Sequence, residues 1–186
     1  IEEDPAFSKK KAVKAIARFV SLHPHNLAQK TEIMIEHFRQ VVSRKIGGKA
    51  KAMVVTSSRM HAKRYFQEFR KYIIEKGYEN EIKVLVAFSG KVIDDDFPDG
   101  VSEPSLTGYG ETELPEVFDT EEYKILIVAD KYQTGFDQPL LHTMYVDKKL
   151  SGVKAVQTLS RLNRTCPGKE DTFVLDFAND RETILA

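Results

Sequence analysis

The stretch YKILIVADKYQTGFD, residues 123–137, joins a strand pattern to a polar loop. Its first half is a short apolar run with several β-branched side chains, which is typical of a buried strand. The polar half contains Gly135, and glycine suits unusual backbone angles. In open α/β sheets, ligands bind outside the carboxyl ends of the strands. The stretch therefore predicts a buried strand followed by a ligand-binding loop at the carboxyl end of that strand.

Strand and helix patterns alternate along the rest of the chain. Further strands are predicted at 51–56, 82–88, 142–147 and 172–177, and helices at 8–22, 27–42, 59–76 and 154–165. The segment 89–117 has no periodicity and reads as a long loop. Such alternation predicts an α/β fold, a doubly wound and mainly parallel sheet with helices on both faces. Residues 1–48 are interpreted as an N-terminal helical extension, and residues 49–186 as the sheet domain.

Some helix ends and buried stripes are also predicted. Asn26 is placed at the start of the second helix, whose stripe includes Val41, and Asn179 at the start of a short tail helix. Serines at 57 and 58 are placed to cap the helix 59–76. The spacing of its apolar residues predicts one buried stripe, formed by Ala62, Phe66, Phe69 and Ile73.

The helix predicted over KAVQTLSRLNRT, residues 154–165, carries a polar row. At about 100° per residue, Gln157, Arg161 and Arg164 share one face, opposite to an apolar face. No carboxylate lies three or four residues from either arginine within this helix. The planar guanidinium suits phosphate or carboxylate. The row therefore predicts an anion site, with a solvated polar face as the alternative.

A second candidate anion site follows the strand 51–56. Ser57, Ser58 and Arg59 stand where a strand leads into a helix, and a helix N-terminus attracts anions. Simple helix capping by the serines is the alternative. The nearby Gly47-Gly48-Lys49 does not complete a Walker A loop, because an apolar strand follows where that motif requires a helix. No metal-ligand pattern is found in the sequence.

Composition indicates one ordinary globular domain. The chain has 186 residues, 41% of them hydrophobic and 30% charged, and no apolar run approaches the ~20 residues needed to cross a bilayer. The single cysteine, Cys166, excludes an internal disulfide and favours a reducing cytoplasm. The chain begins at Ile1 and not at Met, so we interpret it as a piece of a longer protein.

The net charge of zero hides a segregation of charge. Residues 8–72 hold 16 Lys and Arg against 3 Asp and Glu, whereas residues 75–122 hold 3 against 14. The basic half is either a footprint for a polyanion or the internal partner of the acidic half. The sequence leaves both readings open.

The order of these features resembles a known group of motors. A strand, a Thr-Gly-Phe-Asp loop and a Gln…Arg…Arg helix resemble motifs V and VI of superfamily 2 helicases. In the usual motif VI, QxxGRxGR, the glycines stand where this chain has Ser160 and Asn163, so it departs from the DEAD-box helicases. The runs at 128–150 and 156–164, with 47–65 and 171–177, are similar to the second helicase domain of the R subunit of type I restriction enzymes.

This resemblance implies a RecA-like domain that works as half of an ATP-driven translocase on double-stranded DNA. It implies ATP and Mg²⁺ as cofactors, in a site completed by a first RecA-like domain that carries the Walker lysine and the acid that binds Mg²⁺. The implied partners are the modification and specificity subunits, in the cytoplasm of a bacterium or archaeon and without a membrane. We expect the chain alone not to hydrolyse ATP. The alternatives are another superfamily 2 DNA helicase or a non-catalytic module that binds DNA or protein.

The resemblance also implies roles for particular residues. Arg164 becomes the arginine finger, Arg161 its companion and Gln157 a further catalytic-site residue. Gly135 and Asp137 become contacts of the nucleotide. The residues that contact the nucleic acid become Ser57, Ser58, Arg59 and Thr134.

Overall fold

The computed structural model describes residues 5–130 and 137–179, with side chains from Lys9 onward. The described strands are β1 (Lys51–Thr56), β2 (Lys83–Ala87), β3 (Lys91–Val92), β4 (Val101–Ser102), β5 (Tyr123–Ala129), β6 (Leu141–Asp147) and β7 (Phe173–Asp176). The described α-helices are α1 (Pro5–Leu22), α2 (Pro24–Gln40), α3 (Arg59–Lys76), α4 (Glu103–Thr107), α5 (Leu114–Phe118) and α6 (Gly152–Leu159). Short 3₁₀ turns cover Val42–Arg44, Ile46–Gly48 and Ser160–Asn163.

Five strands form one parallel sheet in the order β2-β5-β1-β6-β7. β1 lies near the centre and is buried along its whole length, which agrees with its run of apolar residues. Because strand side chains alternate between faces, Val54 joins one hydrophobic cluster and Val55 the other. The first cluster includes α2 and α3, and the second includes α5 and α6. The predicted doubly wound α/β fold is confirmed.

The strand and helix predictions hold best where burial is continuous. β1, α3 and β5 have the predicted bounds. All four predicted stripe residues of α3 are buried, and His61, Lys63 and Tyr65 are buried beside them. Ser58 caps α3, since its hydroxyl accepts a hydrogen bond from the backbone N–H of His61 at 3.2 Å. Gly77, in the left-handed conformation at φ 73°, ends the same helix.

The start of α2 differs from the prediction. His23 caps the helix and Pro24 is its first residue, so the helix begins before Asn26. Proline is well suited to this first position because its missing N–H would have no partner there. Towards the other end, Val41 is 40% exposed while Val42 is fully buried, because the chain turns into a 3₁₀ turn at that point.

The segment 89–117 is structured and not simply a long loop. It contains the antiparallel pair β3 and β4 followed by the short helices α4 and α5. Lys63 on α3 is fully buried, and its ammonium group pairs with the carboxylate of Asp94. The ring of Phe97 lies 4.9 Å from the same ammonium group. The segment is therefore fastened to α3 by a buried ion pair that periodicity alone could not reveal.

The predicted helix 154–165 is interrupted. The α-helical part ends at Leu159, a 3₁₀ turn follows, and Arg164 has extended backbone angles (φ −66°, ψ 133°). The ammonium group of Lys169 explains this end, since it donates to the carbonyl oxygens of Leu162 (2.8 Å) and Arg164 (2.6 Å). A side chain thus satisfies carbonyl groups that the helix leaves without partners.

The remaining expectations fall outside what the structure describes or are not tested by it. The tail helix predicted after Asn179 lies beyond the described residues. The proposed division of the chain at residue 48 stays a prediction. Among the helices of residues 5–130 and 137–179, none is both long and apolar enough to cross a membrane.

Candidate nucleotide and nucleic-acid sites

The predicted site residues lie at two opposite edges of the sheet. Because the five strands are parallel, their carboxyl ends share one edge and their amino ends share the other. Ser57–Arg59 follow β1 and Asp130 follows β5, so both lie at the carboxyl edge. Asp137 precedes β6 and therefore lies at the amino edge. Six residues of β1, at about 3.3 Å each, separate the two edges by roughly 20 Å.

This placement corrects one prediction. The loop 130–137 was expected to lie at the carboxyl end of its strand, but only its first residue does so in the described part of the chain. The reason is topological, since β6 runs parallel to β5 and the chain must return to the opposite edge before β6 can begin. Thr134 and Gly135 lie outside the described residues.

The turn after β1 forms the centre of the carboxyl edge. Ser57 and Arg59 are exposed, and Ser58 is occupied by its capping role. The hydroxyl of Ser58 lies 2.6 Å from Nδ1 of His61, which fixes its position further. Arg59 donates from Nη1 to the carbonyl oxygen of Ser89 at 3.2 Å. The turn thus offers a helix N-terminus and a braced guanidinium group, an arrangement suited to an anion.

Gly90 makes the position of Arg59 possible. Its backbone has φ +75°, and a Cβ atom built there would lie 2.7 Å from Nη1 of Arg59. Any other residue would displace the guanidinium group. The sequence analysis missed this role, because a lone glycine after a strand gives no sign of which side chain passes over it.

Asp147, at the carboxyl end of β6, is a second residue that the sequence analysis did not identify. Its side chain is 10% exposed and lies 3.2 Å from the ammonium group of Lys30. It also accepts a hydrogen bond from the hydroxyl of Tyr65. The carboxylate therefore ties α2, α3 and β6 together beside the turn, and its partners are already supplied. The available signal was an acidic residue at the end of an otherwise apolar predicted strand.

At the amino edge, Arg164 pairs with Asp137. Nε of the arginine lies 3.2 Å from Oδ1 of the aspartate, and the two side chains are 66% and 59% exposed. An ion pair this exposed contributes only about 0–1 kcal/mol. The guanidinium of Arg164 is therefore held loosely and stays accessible to another anion.

Arg161 has a different environment from Arg164. It is partly buried, and its Nη2 is shielded from solvent without a hydrogen-bond partner among the described residues. Burial lowers the pKa of this guanidinium to about 10. A shielded donor without a partner costs about 1–3 kcal/mol, and a charged one more, so such groups call for an explanation. An anionic ligand whose oxygen accepts a hydrogen bond from Nη2 would explain this shielded donor.

The other predicted site residues make fewer contacts at these two edges. Gln157 is exposed on α6, one helical turn before Arg161. Among residues 5–130 and 137–179, no group of three His, Cys, Asp or Glu side chains is placed to hold a metal ion. The structure thus brings Asp137 and Arg164 together and keeps Ser57, Ser58 and Arg59 at the other edge.

Comparison with known proteins identifies the family of the chain. Residues 106–179 match the family model described as type I restriction enzyme subunit R domain 3. The putative type I restriction enzyme MjaVIIP endonuclease subunit of Methanocaldococcus jannaschii is 30% identical, over 94% of this chain and 17% of that protein. The MjaIXP endonuclease subunit of the same organism is 34% identical, over 81% of this chain and 14% of that protein. The chain thus spans less than a fifth of the length of these relatives.

Two solved structures share the fold. One is T4 UvsW, with a TM-score of 0.55 and 12% identity over 89% of this chain and 28% of that chain. The other is a fragment of a putative HsdR subunit of a type I restriction enzyme from Vibrio vulnificus YJ016, with a TM-score of 0.52 and 15% identity over 86% of this chain and 28% of that chain.

The parallel sheet with helices on both faces, shared with these two structures, is a RecA-like fold. The chain belongs to the R-subunit family of type I restriction enzymes, in which it is a segment containing the second RecA-like domain.

Proposed function

We propose that this segment is one half of an ATP-driven motor that moves double-stranded DNA within a type I restriction complex. The observation that carries the proposal is Nη2 of Arg161, a shielded donor that has no partner in the described part of the chain and lies in the 3₁₀ turn after α6. A second guanidinium, that of Arg164, is exposed three residues further on. Family membership supports the place in a restriction complex, since the MjaVIIP and MjaIXP relatives are described as restriction enzyme endonuclease subunits.

The residues at the amino edge would hold the phosphates of ATP. Arg161 is desolvated, so a phosphate oxygen at its Nη2 would form a strong, charge-assisted hydrogen bond. Arg164 can leave Asp137, because their exposed ion pair contributes little. We assign Arg164 as the arginine finger, Arg161 as its companion and Gln157 as a polar contact beside them. Gly135 is a further proposed contact of the nucleotide, and Asp137 belongs to the same site as the anion that Arg164 leaves when the phosphates bind.

This assignment fits the chemistry of phosphoryl transfer. ATP supplies the phosphoanhydride bond whose hydrolysis drives the motor, and Mg²⁺ would be held by the first RecA-like domain of the full-length chain. A guanidinium that meets the phosphates only when two domains close stabilises negative charge where it develops. Arg164, whose ion pair is exposed, would be the guanidinium that moves to the phosphates. Arg161, whose Nη2 is shielded, would be the one that stays in place.

The carboxyl edge would bind the DNA backbone. Ser57, Ser58 and Arg59 are the proposed contacts at this edge, and Thr134, which lies outside the described residues, is a further proposed contact of the DNA. The support is the N-terminus of α3 and the guanidinium that Ser89 and Gly90 position beside it. Such contacts go to phosphates and carry no sequence information.

The proposal is tested in the full-length subunit that contains this segment, assembled with its partner subunits. Displacement of a third strand from a triplex reports movement along DNA. We expect ATP-dependent displacement by the unmodified complex and none by Arg161→Ala. Arg44→Ala, which changes an exposed arginine elsewhere, should behave as the unmodified complex does. Movement that persists in Arg161→Ala would contradict the proposal, and DNA binding without any ATP-dependent movement would favour a non-catalytic module.

A further inference from the structure

Helix α1 has a basic face to which the proposed function assigns no role. Lys10, Lys14 and Arg18 are four residues apart, so they fall within about 80° of one another around the helix axis. All three are exposed, and none makes an ion pair with a described residue. The opposite side of α1 carries exposed apolar side chains, namely Val13, Ile16, Phe19 and Val20.

Some of the segregated charges of the chain pair with one another in the structure. Part of the basic half pairs with the acidic half, as Arg39 does with Glu81 at 2.9 Å. Lys63 pairs in the same way with Asp94. The basic face of α1 has no such described acidic partner, so the internal-pairing explanation does not extend to it. A polyanion outside the chain remains the explanation for this face.

Hydrogen bonds fix the carboxyl end of α1 beside the proposed DNA-binding turn. The hydroxyl of Ser21 lies 2.8 Å from Nε2 of His61, and Nδ1 of the same ring lies 2.6 Å from the hydroxyl of Ser58. Nη1 of Arg64 also donates to the carbonyl oxygen of Leu22 at 3.3 Å. The basic face thus ends within one helical turn of residues that contact the start of α3.

We propose that the basic face of α1, formed by Lys10, Lys14 and Arg18, extends the DNA interface and binds the phosphate backbone of double-stranded DNA. Eight residues at about 1.5 Å each give a row about 12 Å long. Double-stranded DNA carries one charge per about 1.7 Å of its axis, so such a row can face phosphates along its whole length. The inference rests on the proposed function, because it adds a second contact to the same DNA.

The test measures DNA affinity as a function of salt in the full-length subunit. A triple variant, Lys10→Gln, Lys14→Gln and Arg18→Gln, removes the three charges with little change in helix propensity. Each phosphate contact contributes about 0.9 to the slope of log affinity against log salt, so the triple variant should lower the slope by up to about 2.7. A matched control, Arg44→Gln, Lys49→Gln and Lys71→Gln, removes the same number of charges from exposed positions elsewhere. We expect its slope to be unchanged.

The outcomes separate this inference from the proposed function. If the triple variant keeps the full slope while Arg59→Ala weakens binding, the role of α1 is overturned and the motor proposal stands. If the unmodified subunit shows no salt-dependent DNA binding, the proposed function itself fails. Basic helices with an apolar side also bind anionic membranes, so vesicles of phosphatidylserine and phosphatidylcholine are tested in parallel. Vesicle binding that the triple variant loses, with its DNA slope unchanged, would overturn the inference in favour of a membrane surface.

Discussion

Nε of Arg164 lies 3.2 Å from Oδ1 of Asp137, and this contact joins the end of the proposed motif VI to the end of the proposed motif V loop. The two residues were assigned separately, one to catalysis and one to the nucleotide. Their contact indicates that Asp137 holds the guanidinium group of Arg164 in place. In the proposed site, the carboxylate lies beside the guanidinium group that would bind a phosphate of ATP.

Replacement of Asp137 by Asn should lower the KM for ATP of the full-length subunit. The change frees Arg164 and removes a negative charge from the proposed phosphate site, so KM for ATP should fall. Stability should change by less than about 1 kcal/mol, because the pair is exposed. Asp130→Asn, which removes an exposed acid at the opposite edge, is the control and should leave KM unaltered. A several-fold rise in KM for Asp137→Asn would show that this carboxylate binds the nucleotide directly.

Replacement of Gly90 by Ala should weaken DNA binding. The new Cβ would lie 2.7 Å from Nη1 of Arg59 and displace its guanidinium. The positive φ adds a strain of roughly 1–2 kcal/mol. Gly77→Ala is a matched control, since φ is +73° there and a Cβ would meet nothing within 4 Å. Urea unfolding should show a comparable loss for both variants, whereas fluorescence anisotropy should show weaker DNA binding only for Gly90→Ala. Equal DNA affinity of the two variants would remove Arg59 from the interface.

The segment 89–117 should detach from α3 at low pH. Hydrogen bonds from Lys63 and from the backbone of residues 96 and 97, together with the charge of Lys63, hold the pKa of Asp94 below its usual value of 3.8, although burial opposes them. The unfolded chain therefore binds this proton more readily, so the stabilisation is complete well above pH 4 and is lost as pH falls below it. Asp94→Asn should cost up to roughly 3–5 kcal/mol at pH 7, because it leaves the buried ammonium group of Lys63 with only the exposed and more distant carboxylate of Asp96, at 3.6 Å.

Urea unfolding between pH 3 and pH 7 measures this effect. The acid dependence of the unmodified chain should be steeper than that of Asp94→Asn. Asp95→Asn changes an exposed neighbour and should follow the unmodified chain. An unmodified chain and an Asp94→Asn variant with the same pH profile would show that the pair does not hold the segment.

The sequence predicted the sheet well because local patterns determine it. The runs that became β1 and β5 are continuous, apolar and buried, and the stripe of α3 repeats every three or four residues. The family resemblance and the parallel fold followed from the same runs. Side-chain positions along these elements were therefore predictable from period and composition.

The site was less predictable because tertiary contacts shape it. Lys169 ends the 3₁₀ turn from a position after Pro167-Gly168, and so Arg164 leaves the helical row that the sequence suggested. Asp130 and Asp137 lie at opposite edges because β5 and β6 are parallel neighbours of β1, and no local pattern encodes this strand order. Likewise, the contact between Gly90 and Arg59 joins residues about thirty positions apart.

The central claim is that the end of α6 is the nucleotide end of the motor. The measurement that tests it most directly is DNA-stimulated ATP turnover, with melting temperature, for Arg164→Ala, Arg164→Lys and Arg161→Ala in the full-length subunit. Arginine fingers contribute roughly 10³–10⁵ in rate, so Arg164→Ala should lose turnover by orders of magnitude, and Lys should not restore it. Arg161→Ala should also lose turnover without a fall in melting temperature, because it removes a shielded donor that has no described partner. Near-normal turnover in both alanine variants would contradict the account and leave these arginines as an ordinary polar surface.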